Sequence, residues 1–222
     1  MGYTAIVIAA GLSSRMGGLK PLLPIGEKTA ITRLLDTIRS SGIEDVVVVT
    51  GHEREMVEEA FAGQRAFFVQ RDGSFYAGKR TQKEPSLCLV YNEGYRSGMF
   101  SSVRAGLRRA AETDAALLFP VDVPLVSAET IRGLVSAYKE GPSSRFAVPV
   151  YKGRNGHPLL IPRMFFKEII DHTGEGGLKE VRNRHAAEML RYEVDDEGCV
   201  LDMDTPEDYE KLLSYYGRKT DA

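Results

Sequence analysis

The sequence has almost no net charge: 29 Lys and Arg stand against 31 Asp and Glu, a balance of −2 over 222 residues. Such a chain has no field to draw in nucleic acid or an anionic membrane surface, and neither is expected as a partner. Cysteine is scarce, with only Cys88 and Cys199, far apart in sequence. That excludes a disulfide framework or a thiolate metal cluster, and both read as buried thiols. The four histidines are too scattered to suggest zinc. No apolar run approaches the ~18–20 residues that cross a bilayer, and the first residues lack a signal-peptide layout, so a cytoplasmic location is expected. Repeats, linkers and low-complexity tracts are also missing. The two common phosphate loops are absent as well. A P-loop needs Gly directly before its Lys and Ser or Thr after it, whereas Leu19 precedes Lys20 and Pro21 follows. A dinucleotide loop needs G-x-G-x-x-G, and after Gly11 the next glycine is Gly17.

What is present is a chain with 43% hydrophobic and 27% charged residues, long enough for a single domain, 1–222, around one core. The apolar run Ala5 to Ala10 suits a strand buried on both faces. It ends at Gly11, in a loop of small and hydroxylic residues that holds the cations Arg15 and Lys20. Small residues let backbone N–H groups approach an anion, and Arg15 adds a planar fork where Lys20 adds a point charge. Pro21 and Pro24 stiffen the exit.

Further on, Thr29 is a plausible cap for a helix with Ile31, Leu34, Leu35 and Ile38 on one face. Asp45 to Thr50 and 66–69 read as strands, with a helix around Met56, Val57, Ala60 and Phe61 between them. This βαβαβ order predicts a parallel sheet with helices on both faces. Residues 71–86 break the rhythm and read as a polar, solvated insertion. Leu87 to Tyr91 and Ala115 to Pro120 are further strands, the second delivering Asp122 to its carboxyl end. Ser127 caps the next helix; Phe146 to Val150 and Pro158 to Ile161 are strands around a glycine-containing turn, with a helix over Met164 to Ile170 after them. Glu188 to Val194 and Cys199 to Met203 read as a late hairpin. Pro206 then opens the last helix, where its missing N–H costs little.

The loop and its strand resemble the A-A-G-x-S-x-R-M-G-x-x-K-x-L-L-P signature of the MobA-like nucleotidyltransferases. The fixed positions are Ala9, Ala10, Gly11, Ser13, Arg15, Met16, Gly17, Lys20, Leu22, Leu23 and Pro24. Asp122-Val-Pro124 is similar to the family's D-x-P metal motif, and Asp204-Thr-Pro-Glu-Asp208 to its D-T-P-E-D segment, which is also a good helix start. Asn92, Gly98, Met99, Phe100, Ser101 and Ser102 resemble the segment that lies against the nucleotide, with Tyr95 near the usual tryptophan and Val103 in place of leucine. Asn155-Gly-His-Pro158 resembles the acceptor-side G-H-P motif, while residues 176–185 keep only the glycine and the placement of a further acceptor segment.

The resemblance implies a three-layer, Rossmann-like α/β fold with a mostly parallel sheet and a small β-hairpin subregion on the acceptor side. It implies catalytic Lys20, Arg15 and Asp122, with Mg²⁺ held by Asp122 and Asp204, and Asp202 as a weaker alternative ligand. Ala9, Ala10, Gly11, Ser13, Gly51, Asn92, Gly98, Ser101 and Ser102 fall to the nucleotide, and Gly156, His157, Lys179 and Arg182 to the acceptor. Ala10-Gly11, where guanylyl-transferring members carry two glycines, resembles the cytidylyl-transferring, molybdenum-cofactor branch. The implied reaction passes CMP from CTP to the phosphate of a molybdopterin-type acceptor, releasing pyrophosphate, with a molybdenum hydroxylase as a possible partner. A phosphate nucleophile is already ionised near neutral pH, which fits the absence of an obvious Ser–His or Cys–His pair. Two rivals stay open: a pyrophosphorylase using GTP or a sugar phosphate, and a nucleotide-binding cofactor chaperone without turnover.

Overall fold

The computed structural model describes residues 2–13, 16–61, 67–69, 86–141, 144–186 and 189–220. The first apolar run becomes strand β1 (Tyr3–Ala9), and alternate side chains sink into different cores. Ala5, Val7 and Ala9 face one layer, Ile6 and Ile8 the other. Both faces of β1 are therefore dry, as a continuous apolar strand requires. A small hairpin, β2 (Pro24–Ile25) with β3 (Lys28–Thr29), leads into α1 (Ala30–Ser40), where the Thr29 hydroxyl accepts from the Thr32 N–H as the cap.

The chain continues through β4 (Asp45–Thr50), α2 (Arg54–Glu59), β5 (Phe67–Val69), β6 (Ser86–Tyr91), α3 (Met99–Arg109), β7 (Ala115–Pro120), α4 (Ala128–Glu140) and β8 (Ala147–Tyr151). After these come β9 (Arg154–Asn155), β10 (Leu159–Pro162), α5 (Phe166–Asp171), α6 (Gly177–Arg184), β11 (Leu190–Glu193) and α7 (Pro206–Thr220). Among the described residues the main sheet runs β11-β8-β10-β7-β1-β4-β6-β5, with β9 paired to β8. From β7 through β5 all pairs are parallel; β10 is antiparallel to both neighbours, and the β8–β9 pair is the expected small hairpin.

Helices α1, α2 and α4 cover one face of the sheet and α3, α5 and α6 the other. On the second face α3 comes unusually close, because Gly106 rests on β1: a Cβ there would lie 2.4 Å from Ile6 Cγ2. A satellite core of Ile25, Ala30, Leu125, Met203 and Leu212 seats α7 over the β2–β3 hairpin.

Two expectations need correction. Cys199 to Met203 is no strand: Glu197–Cys199 forms a short 3-10 turn, and β11 pairs in parallel with β8 instead of closing a hairpin. The buried Asp196 carboxylate dictates this turn. It accepts from the Gly198 and Ser127 N–H groups at 3.1 and 2.8 Å and from the Thr130 hydroxyl at 2.7 Å, bending the chain and stapling it to the start of α4. The second correction is α6, a helix over residues that carry no element in the sequence reading. The 71–86 insertion falls, but for Ser86 at the start of β6, outside the described residues.

Candidate active site

In an open parallel sheet the carboxyl ends of the strands leave a crevice where the strand order reverses. Here β1 is flanked by β4 on one side and β7 on the other, and a cleft of about 310 Å³ opens beyond β1 and β7. Three distant segments meet in it. Lys20 leaves the loop after β1, Asp122 follows β7, and Asp204 precedes α7; all three line the cleft. The Lys20 ammonium donates to Asp204 Oδ1 at 2.5 Å and to Asp122 Oδ2 at 3.4 Å.

Each approach has a local cause. Ser13, at φ 50°, turns the loop, and its hydroxyl accepts from the Lys20 N–H at 3.1 Å, folding the chain back so that the lysine enters the cleft. Asp122 sits one residue past the point where the Val121 N–H donates to Ile8 O at 3.1 Å, continuing the β1–β7 ladder. Asp204 arrives because the Met203 N–H donates to Asp122 O at 3.1 Å while the Met203 side chain is fully buried. The helix start that this segment also offers is capped by Thr205, whose hydroxyl accepts from the Asp208 N–H at 3.3 Å. Asp204 is thereby free to face the lysine.

Burial pushes the Asp122 carboxyl above its usual range, Lys20 pulls it down and Asp204 pushes it up again. Asp202 is likewise raised, first by burial and then by Asp204 and Asp122. The site is thus short of positive charge even with Lys20 in place. Among the described residues no group of three or more ligating side chains gathers. Two hard carboxylates fit Mg²⁺, which completes its shell with water and substrate phosphate, better than an ion caged by protein alone.

The nucleotide set divides. Ala10, Gly11, Ser13, Gly98 and Ser102 line the cleft. Ala9 is core beneath it. Gly51 is packing: a Cβ there would lie 2.6 Å from Tyr95 Cβ and 2.8 Å from Ala10 O, so glycine lets the Tyr95 wall close onto the end of β1. Asn92 is buried behind that wall, with its amide donating to the Ser101 and Ser102 hydroxyls at 2.8 and 2.9 Å and its oxygen accepting from the Gly94 N–H. Asn92 and Ser101 therefore hold the start of α3 and do not face the cleft. Arg15 lies outside the described residues. Leu12, Arg96 and Met99 also line the cleft. Leu12 and Arg96 occupy variable positions of the motifs, so only the fold reveals them.

The acceptor set stands apart, across β7. Gly156 is buried where a Cβ would lie 2.6 Å from Cys199 O, Lys179 is exposed on α6, and Arg182 is half-buried near His157. None of these lines the cleft. One side of His157 remains partly exposed, while its Nδ1 is buried and makes no side-chain hydrogen bond among the described residues. Burial, reinforced by Arg182, lowers the ring to about 4, despite a contact with the Leu118 backbone. Above pH 6.5 the ring is neutral in both folded and unfolded chains. As the pH falls toward 4, the unfolded chain takes up a proton that the folded one refuses, so stability drops with acid. We expect a loss of about 2 kcal/mol over that window, discounted for the exposed edge, and a flatter profile in His157→Gln. Urea unfolding of both proteins at pH 7, 5.5 and 4.5 measures it; parallel profiles would reject the assignment.

A family model described as MobA-like NTP transferase domain matches residues 5–189. The molybdenum cofactor cytidylyltransferase of Escherichia coli K12 is 25% identical over 207 residues, 92% of either chain. The crystal structure of Rv0371c from Mycobacterium tuberculosis H37Rv superposes with a TM-score of 0.74 at 28% identity, covering 96% of this chain and 98% of that one. That protein also has a structure in complex with manganese, at a TM-score of 0.68. A nucleotidyl transferase from Methanothermobacter shares the fold, with a TM-score of 0.77 at 22% identity, over 98% of this chain and 99% of its own.

Proposed function

Because the chain belongs to the MobA-like NTP transferase domain family and is a nucleotidyltransferase, we propose that it transfers CMP from CTP to the phosphate of a molybdopterin-type cofactor. An oxygen of the acceptor phosphate attacks the α-phosphorus, the bond from that phosphorus to the bridging oxygen breaks, and pyrophosphate leaves. The observation that carries this reading is the convergence of Lys20, Asp122 and Asp204 in one cleft.

The protein's part is positioning and charge. Lys20 stands where negative charge builds on departing pyrophosphate, and Ser13 fixes the loop that presents it. The attacking phosphate is already ionised, so no side chain need remove a proton. Bound Mg²⁺, held by Asp122 and Asp204, would neutralise phosphate charge and fix the triphosphate relative to the attacker. Ala10-Gly11, in place of the two glycines of guanylyl-transferring members, favours the cytosine nucleotide, as in the cytidylyl-transferring branch.

Saturating CTP with Mg²⁺, at about 100 times its dissociation constant, is expected to add about 2.7 kcal/mol and raise the melting temperature by about 5–10 °C, with GTP raising it less. Pyrophosphate release from CTP with molybdopterin cofactor is the decisive assay. Efficient release with a sugar phosphate instead, or a larger shift with GTP, would overturn the substrate assignment.

A further inference from the structure

The charged side chains lining the cleft, among the described residues, are Lys20, Asp122, Asp204 and Arg96. Lys20 is ion-paired with both aspartates. Arg96 does not join them. Its Nε donates to the Tyr95 hydroxyl at 3.3 Å and its guanidinium lies 5.7 Å from the Tyr95 ring centroid, and no carboxylate pairs with it among the described residues. The two terminal nitrogens are left as a fork of N–H donors at the cleft wall, on the chain segment just before α3.

This wall differs in chemistry from the Lys20 side. Met99 follows Arg96 on the same segment and lines the cleft with 60% of its surface in solvent, an apolar face beside the guanidinium on which a flat ring can rest. Phosphates belong with Lys20 and the loop N–H groups, so the base of a bound nucleotide falls toward the Tyr95–Met99 segment that carries Arg96. A guanidinium fork asks for two adjacent acceptors. Cytosine offers O2 and N3, and guanine O6 and N7; uracil has N3–H between its carbonyls, and adenine places an amino group beside N1 and N7.

We infer that Arg96 reads the base, donating from its two terminal nitrogens to an adjacent acceptor pair, and so separates CTP from UTP. It is a specificity-determining residue of the nucleotidyltransferase reading and rests on it. The narrower choice between cytosine and guanine stays with Ala10-Gly11.

Calorimetric titration with CTP, UTP and inorganic pyrophosphate, each with Mg²⁺, tests this on the wild-type chain, Arg96→Met and Arg96→Lys. Arg96→Met should weaken CTP binding about 10- to 100-fold, the worth of a bidentate pair, and change UTP binding less than about threefold. Pyrophosphate should bind all three proteins alike, showing that the phosphate side and the fold are intact. Lysine, a point charge without a fork, should recover less than half of the lost preference. An unchanged CTP-to-UTP ratio in Arg96→Met, full recovery with lysine, or an equal loss of pyrophosphate binding would each overturn base reading while leaving the transferase reading standing. A wild-type chain that binds none of the three would overturn both.

Discussion

Asp122→Asn is expected to cut nucleotidyl transfer by about 10²–10³-fold or more while the protein stays folded. The substitution keeps the shape of the side chain and removes one charge. In the folded chain burial and then Asp204 disfavour that charge and raise the pKa, while Lys20 and a backbone N–H favour it. Neutralising it therefore relieves a strained carboxylate as well as weakening one ion pair at 3.4 Å, and the two nearly cancel. Stability should move by less than about 1 kcal/mol, within the range of a partly exposed pair. The catalytic loss is of another kind. A neutral amide offers the cation a weaker ligand and leaves Asp204 alone to hold it. Rate and melting temperature measured together decide the matter. Wild-type turnover in Asp122→Asn would remove this residue from the machinery, and a collapse of the fold would make it structural.

Much of this site could be read in the sequence because its parts are loop residues hung on buried strands. Ala5 to Ala10 and Ala115 to Pro120 are apolar on both faces, so they had to be central, and the loop leaving the carboxyl end of a central strand borders the crevice. Lys20 and Asp122 were legible for that reason. Asp204 was harder, because its surroundings also make a helix start; the fold resolves the ambiguity by giving the cap to Thr205.

Other parts depend on contacts with no local signal. Cys199 to Met203 is apolar enough to be a strand, but the carboxylate of Asp196, reaching Ser127 and Thr130 far away in sequence, bends the chain first. Helix α6 has only Leu178 and Val181 as large apolar residues, too few for a periodic pattern. It forms because Val181 is buried against α5, and because Arg184 and His185 reach Glu168 at 3.4 and 3.0 Å. Asn92 belongs to a nucleotide-facing motif, and its amide holds Ser101 and the cleft-lining Ser102, a supporting position that the motif alone does not reveal.

Lys20→Met is expected to lower turnover by about 10²–10³-fold, and here stability should change as well. Lys20 is the only described cation between Asp122 and Asp204, with its side chain just 15% exposed. Removing it leaves both carboxylates without that cation, and although water screens the half-exposed Asp204, Asp122 is only 27% exposed. The chain without Mg²⁺ should lose about 1–2 kcal/mol, near 2–8 °C in melting temperature. Mg²⁺ should restore most of that, because the divalent ion supplies the charge that lysine had given, but it should not restore the rate. The reason is one of position: on the proposed reading the aspartates would hold the ion, and meeting the leaving pyrophosphate would be left to the ammonium. Lys20→Arg sharpens the test, since it keeps the charge but replaces a compact ammonium by a wider planar group. It should recover the stability more fully than the rate. The two single changes should also fail to add in Asp122→Asn with Lys20→Met, since both act on one charge network. Melting curves with and without Mg²⁺, beside pyrophosphate release, measure all of this. A Lys20→Met protein that Mg²⁺ returns to full activity would reduce Lys20 to a placeholder for the metal.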